Sequence, residues 1–248
     1  MNSVAVIVPA YKAVPDADEQ KCFERICRIF HDYPIVLCNP QDLDTSYYRK
    51  VYPPLRFLSM NKDYFLSTAA YNRLMLSSEF YAAFLKQYDY ILICQLDVWV
   101  FRNNLPQWID KNYDYIGAPW HNRALHLIQY FTVKQGIKTV FRALKGRNFN
   151  HAVGNGGFSL RKVQAFFEIC KTNQTSIWKA NEDYFWSFLA KHPDGTKLRV
   201  PTDTEAAAFC IETDARHYMK DRTLPPMAVH AYKKYDFSYW KSFISQTV

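Results

Sequence analysis

Apolar residues along this chain fall into short unbroken runs, separated by stretches in which they recur at helical spacing. The runs 3–8, 34–38 and 90–96 are built of aliphatic, β-branched and aromatic residues, the last interrupted only by Gln95. Each is too short for an ordinary buried helix, and an unbroken apolar run predicts a strand covered on both faces, as in a parallel sheet between helices. Shorter strands are predicted at 55–58, at 98–101 and at 113–118, where Pro119-Trp120 closes the run. Between the first two runs, Cys22, Phe23, Ile26, Cys27, Ile29 and Phe30 mark a helix over 18–32. The most clearly marked helix is 67–87, capped by Ser67 or Thr68 and striped by Leu74, Phe80, Tyr81, Phe84 and Leu85. Further helices are expected at 162–171, from Asn181 to near Lys191, and at 202–209. The β-α-β-(β)-α-β order predicts an α/β fold with a Rossmann-like half.

Composition narrows the partners. With 248 residues, 49% hydrophobic and 17% aromatic, the chain has ample material for one α/β core. A net charge of +8 favours an anionic partner: a nucleotide, a phospholipid, a lipid-linked phosphate or a nucleic acid. Much of that charge sits in 121–150, which carries Arg123, Lys134, Lys138, Arg142, Lys145 and Arg147 and no acidic residue. Interleaved apolar residues make this segment a basic amphipathic element, suited to an anionic membrane surface or acceptor. The plain alternative is a solvated basic face over a packed apolar one. The six cysteines show no zinc-ligand spacing and read as buried thiols in a reducing compartment. No leader-like segment opens the chain, and no apolar run approaches the roughly 20 residues of a membrane span. The expected location is the cytoplasm, at the inner face of the cell membrane if the basic segment docks there.

Five places carry candidate chemistry. Asp97 ends the central apolar run, at the rim where open α/β sheets bind ligands, although a strand-terminal Asp also caps turns. Pro9-Ala10-Tyr11-Lys12 follows the first strand and offers an aromatic face and an ammonium, as a nucleotide site would, or simply makes a βα turn. Gly154, Gly156 and Gly157 imply positive φ or a close approach of backbone to something else. Glu182 and Asp183 begin a helix, where acids also satisfy free N–H groups. His230, followed by Lys233 and Lys234, is either a packing residue or a metal ligand beside phosphate-neutralising lysines.

Taken in order, Val8-Pro-Ala-Tyr11, Leu96-Asp-Val-Trp99, Gly154-Asn-Gly-Gly-Phe158, Asn181-Glu-Asp183 and the late His230 resemble the GT-A fold of nucleotide-sugar glycosyltransferases. More closely, the chain resembles a little-characterised bacterial family of GT-A-like domains, over residues 4–240, with Gln95-Leu-Asp97, Tyr115-Ile-Gly-Ala-Pro-Trp120, Gly154–Arg161 and Asn181-Glu-Asp183 as hallmarks. The resemblance implies a GT-A, mixed and mostly parallel sheet flanked by helices, in one domain with a nucleotide-binding half (1–118) and an acceptor half (119–248). It implies a donor site at Pro9, Ala10, Tyr11, Lys12, Asp97, Gly156, Gly157, Lys233 and Lys234, with a glycine-rich turn at 154–157 letting backbone approach the donor sugar. Mn²⁺ or Mg²⁺ would be held by Asp97, for which oxygen ligands are apt. The second acid of the family's Asp-x-Asp motif is here Trp99, which shifts weight to His230 as a further metal ligand and to Lys233 and Lys234 as neutralisers of the diphosphate. Asp183 would be the general base, with Glu182 orienting the acceptor. Trp120, Asn181 and Trp186 are the candidate acceptor contacts.

The function so implied is transfer of a sugar, with inversion, from a nucleotide-diphosphate donor to a glycan or lipid-linked acceptor in bacterial surface polysaccharide or lipopolysaccharide synthesis. Two alternatives stay open: a retaining transferase on the same fold, and a non-catalytic basic, aromatic module binding RNA or anionic glycan. Nucleic acid is not the expected partner, because the basic charge is concentrated in one segment while acids end strands and begin a helix.

Overall fold

The computed structural model describes residues 3–121, 152–176, 178 and 181–247. The basic segment 121–150, apart from His121, lies outside the described residues. β1 (Val4–Pro9) leads through α1 (Ala17–Ile29) to β2 (Ile35–Pro40), and α2 (Ser46–Val51) precedes β3 (Arg56–Met60). A 3₁₀ turn, α3 (Thr68–Met75) and α4 (Ser78–Ala82) then lead to β4 (Tyr90–Cys94). These four strands are parallel, in the order β3-β2-β1-β4. After β5 (Val98–Val100), α5 (Leu105–Asp110), β6 (Tyr115–Trp120) and β7 (Ala152–Lys162), the sheet is completed by β7 and then β6, with β7 antiparallel to both neighbours. This is the mixed, mostly parallel sheet that the resemblance implies, with the three long apolar runs among its parallel strands.

Coverage of both faces explains those runs. Ala5, Ile7, Ile91 and Ile93 face a cluster with Tyr81, Phe166 and Trp186. Their neighbours Val6, Val8, Leu92 and Cys94 face the other way, onto Phe23, Ile26 and Phe30 of the α1 layer. Because successive side chains alternate between two dry faces, no position in these strands is left for a polar residue. The start of α1 is fixed by a capping box: Asp16 accepts from the Glu19 backbone N–H, and Glu19 accepts from that of Asp16.

Two expectations are corrected. The single helix read over 67–87 breaks into α3 and α4 at Leu76–Ser77, because the Ser77 hydroxyl donates to the Leu74 carbonyl and accepts from the Phe80 N–H. A serine bonding locally in this way ends one helix and caps the next. The glycine stretch 154–157, read as a turn, lies inside the 11-residue strand β7.

Beyond β7 come α6 (Val163–Cys170), α7 (Asn173–Ser176), α8 (Glu182–Tyr184, continued by a π-helical turn at Phe185–Leu189) and α9 (Asp203–Phe209). β8 (Cys210–Ile211), α10 (Ala215–Tyr218), β9 (Ala228–His230) and α11 (Phe237–Ser245) complete the order. A second sheet, β5-β9-β8, stands at the carboxyl end of β4. Its outer side packs with α11 through Trp99, Phe101, Val229 and Trp240. Trp240 is fully buried, its ring centroid 6.2 Å from that of Phe101. Trp240→Ala should therefore cost about 3–5 kcal/mol, read from denaturant unfolding; a loss well under about 1 kcal/mol would show that α11 contributes little to the folded state.

Candidate active site

The register of the second sheet brings the first two candidates together. After β4 the chain turns tightly, with the Val98 N–H donating to Gln95 O at 3.1 Å, so that Leu96 and Asp97 form the tip. β5 then pairs antiparallel with β9, placing Val98 opposite His230, and the Ala231 N–H donates to Asp97 O at 3.0 Å. Ala231 holds a left-handed conformation (φ 47°), uncommon for a residue with a Cβ and a local strain stored beside the site. Asp97 Oδ1 consequently lies 3.3 Å from His230 Nε2. The aspartate side chain is 53% exposed, whereas the imidazole is 9% exposed. Burial acts to raise the Asp97 carboxyl, but His230 beside it prevails and holds it below the usual carboxylate range. Burial likewise opposes the His230 charge, and Asp97 more than compensates, raising the imidazole above its ordinary value.

The glycines serve these side chains. A Cβ at Gly157 would overlap the His230 ring, and one at Gly156 would overlap Glu182 Oε1. Gly154, at φ 138°, is packed against Tyr115 and Ser187. Asn155, between them, points its Nδ2 at Glu212 Oε2 (2.8 Å), while its Oδ1 accepts from the Gly157 N–H at 3.1 Å. Glu212 Oε1 in turn lies 3.5 Å from His230 Nδ1.

The acidic pair is held from below. Arg161, fully buried on β7, donates to Glu182 Oε1 at 2.9 Å, to the Tyr81 hydroxyl at 2.8 Å and to Ser159 Oγ at 3.0 Å. Burial opposes the guanidinium charge, but Glu182 more than restores it. Glu182 is thus a buried strut. Asp183 beside it accepts from the Tyr184 N–H at 2.8 Å, and burial together with the Glu182 charge pushes its carboxyl up to about 8. Its charge also acts on His230.

A cavity of about 470 Å³ opens at the end of β1 and β4, lined among others by Pro9, Tyr11, Glu19, Tyr71, Gln95 and Asp97. The Tyr11 ring is 61% exposed. Ala10 is buried, and the Lys12 ammonium is engaged by Glu19 (2.8 Å) and Asp16 (3.3 Å). Lys233 is paired with Asp18 of α1, whereas Lys234 is exposed and close enough for its charge to lower Asp97. Glu182 and Asp183 do not line this cavity. Asn181 precedes α8 and its Oδ1 accepts from Asn72 Nδ2 at 3.4 Å. Trp120 and Trp186 are at most 2% exposed. Trp186 lies 4.1 Å from Phe166, centroid to centroid, and Trp120 stacks on Phe188, so both rings belong to the core and offer no face to an acceptor. Trp99, where the motif's second acid would stand, is likewise core, with the Arg25 guanidinium over its ring.

Three site residues are given no role by the motifs: Arg161, which ends the 154–161 hallmark, Glu212, and Tyr71, whose hydroxyl is buried beside the cavity. Glu212 carries a signal of the same kind as Asp97, a carboxylate directly after a short apolar run. Arg161 gives no such signal, since Lys162 follows it at the end of β7.

Strand order and the site at the end of β4 make this a GT-A glycosyltransferase-like fold. Mouse xyloside xylosyltransferase 1, apo form, shares it with a TM-score of 0.58 at 9% identity, over 92% of this chain and 97% of that one. The galactosyltransferase LgtC, in complex with donor and acceptor sugar analogs, gives 0.50 at 14% identity, over 91% and 86%. The mannosyltransferase Ktr4p from S. cerevisiae, in complex with GDP, gives 0.51 at 9% identity, over 83% and 68%. The chain spans 63% of the length of another match, core-mannan synthase A from Aspergillus fumigatus. At such identities the likeness is one of fold. No curated protein sequence matches the chain. The model of the family described as "Protein of unknown function (DUF5672)" matches residues 54–230, and the chain belongs to that family.

The buried Arg161–Glu182 pair makes a stability test. Arg161→Met strands the Glu182 charge and should cost about 3–5 kcal/mol, while Arg161→Met with Glu182→Met should recover most of the loss, since apolar replacement of both ends removes the desolvation penalty. Urea melts of the three proteins decide it; a double variant as unstable as the single would place the cost in packing around the guanidinium.

Proposed function

We propose that this chain transfers a sugar from a nucleotide-diphosphate donor to a glycan or lipid-linked acceptor. The observation that carries this reading is the meeting of Asp97 with His230 at the edge of the cavity beyond β1 and β4, on a fold shared with glycosyltransferases. The exposed Tyr11 ring suits a base, and Lys234 adds positive charge near Asp97. The basic composition of 121–150 supports an anionic, lipid-linked acceptor.

The donor set fits a divalent cation. Bonds of about 2.0–2.2 Å place two adjacent ligands of one ion roughly 3 Å apart, and Oδ1 and Nε2 are 3.3 Å apart. Among the described residues, no three His, Cys, Asp or Glu side chains could hold a metal by themselves. Mg²⁺ is commonly bound by one or two carboxylates, with phosphates and water completing its shell, so two protein ligands suit a cation shared with a diphosphate. Asp97 and His230 would hold it, and when bound it neutralises charge on the departing diphosphate.

A sugar hydroxyl is a poor nucleophile at neutral pH and gains from a positioned base. Asp183 is the candidate, and direct displacement by the hydroxyl it activates inverts the anomeric centre. With its carboxyl raised to about 8, Asp183 is largely protonated at neutral pH and gains its base form as pH rises through that value. The same elevation favours a second reading. A protonated Asp183 cannot take the acceptor's proton; the leaving phosphate oxygen takes it on the donor's own face, and configuration is retained.

A thermal-shift panel of UDP, GDP and CMP with Mn²⁺ should show one nucleotide stabilising the wild type and failing with Asp97→Ala; equal shifts in both proteins would remove the donor role from Asp97. With the matching sugar donor, Asp183→Asn should lower kcat about 10²–10⁴-fold with donor affinity unchanged. In the wild type kcat/KM should climb with pH up to about 8 and then level, a rise that Asp183→Asn lacks. A flat wild-type profile with a retained product anomer would select the second reading.

A further inference from the structure

We infer that Glu212 is a positioning residue for the cation site: it holds the Nδ1 side of His230 so that Nε2 is presented to Asp97. This rests on the reading of Asp97 and His230 as cation ligands. The parallel pairing of β8 with β9 sets Cys210 beside Ala228 and Ile211 beside Val229, so the next residues in register are Glu212 and His230. Glu212 is 8% exposed, and its Oε1 is 3.5 Å from His230 Nδ1. That nitrogen is buried and makes no hydrogen bond within the described residues, so its contact with Glu212 is one of charge at 3.5 Å.

Glu212 is itself fixed. Its Oε2 accepts from Asn155 Nδ2 at 2.8 Å, Asn155 Oδ1 accepts from the Gly157 N–H, and the His230 ring lies on Gly157. The four residues close a ring that joins β7 of the large sheet to β8 and β9 of the small one. Imidazoles that bind metals generally give their second N–H to a carboxylate or carbonyl, which sets the tautomer and the ring plane. Glu212 has the place and the chemistry for that duty, and the strand register leaves it little freedom to do anything else.

The test measures Mn²⁺ binding to the purified full chain by electron paramagnetic resonance of free Mn²⁺, with and without UDP or GDP, alongside the thermal midpoint of each metal-free protein. Glu212→Leu should weaken Mn²⁺ binding about 10–100-fold, the usual cost of losing an outer-shell partner. Glu212→Asp, which keeps the charge but withdraws the carboxylate, should weaken it comparably. Glu212→Gln, which keeps an oxygen acceptor for Nδ1–H, should stay within a few-fold of wild type. That order differs from what a purely structural role gives, namely lowered midpoints with unchanged Mn²⁺ affinity. If Glu212→Leu does not fold, the contrast between the Asp and Gln variants still decides. His230→Ala separates the two layers of the argument. Loss of binding in His230→Ala with wild-type affinity in Glu212→Asp and Glu212→Leu overturns the positioning role alone. Wild-type affinity in His230→Ala, or no Mn²⁺ bound by the wild type, overturns the cation site and the positioning role with it.

Discussion

The organisation of the site depends on a stretch of bare backbone in the middle of a strand. At Gly156 and Gly157, β7 has no side chains, and the space they vacate is filled by Glu182 on one and His230 on the other. A methyl group at either position would collide with a polar side chain whose place is fixed by other contacts. Protein interiors are close-packed, so such a collision is not absorbed by small adjustments all round. β7 is also the antiparallel neighbour of β4, the Gln95 N–H donating to Gly157 O at 2.9 Å. Asp97, His230 and the acidic pair are therefore gathered around one short length of chain, from segments far apart in sequence.

Charge follows the same arrangement. Arg161 neutralises Glu182 beneath β7, and His230 lies between Asp97 and Glu212. Burial and the Glu182 charge push the Asp183 carboxyl up to about 8, whereas His230 holds that of Asp97 low. Two carboxylates with divergent ionisation in one site are the usual mark of a division of roles. Asp97, kept ionised and half exposed, is suited to a cation; Asp183 is suited to holding or taking a proton.

The sequence showed the sheet well and the site in part. Runs such as Tyr90–Cys94 are legible because burial on both faces leaves no alternation to misread. Asp97 and His230 are legible as polar residues that end apolar runs. The glycines were visible but suggested a turn or a substrate contact, because what lies on a bare backbone is supplied by residues tens of positions away. Glu212 also ends an apolar run, but β8 is only two residues long and merges with the apolar end of the helix before it. Trp120 and Trp186 illustrate a different limit: an aromatic side chain suits a sugar or a core equally well, and only packing on Phe188 and Phe166 decides. The break at Ser77 is of a third kind, a local hydroxyl contest with the backbone that apolar spacing does not register.

Asp97 and His230 are proposed to mark the point where a nucleotide's diphosphate is bound. Crystals of the chain grown with Mn²⁺ and a stabilising nucleoside diphosphate test it directly, through anomalous scattering from the metal. The expected result is one strong anomalous peak between Asp97 Oδ1 and His230 Nε2, with the base in the cavity beside Tyr11. A peak and nucleotide elsewhere, as in the second cavity of about 410 Å³ between α1 and α11, with His230 still bonded to Asp97, would contradict it.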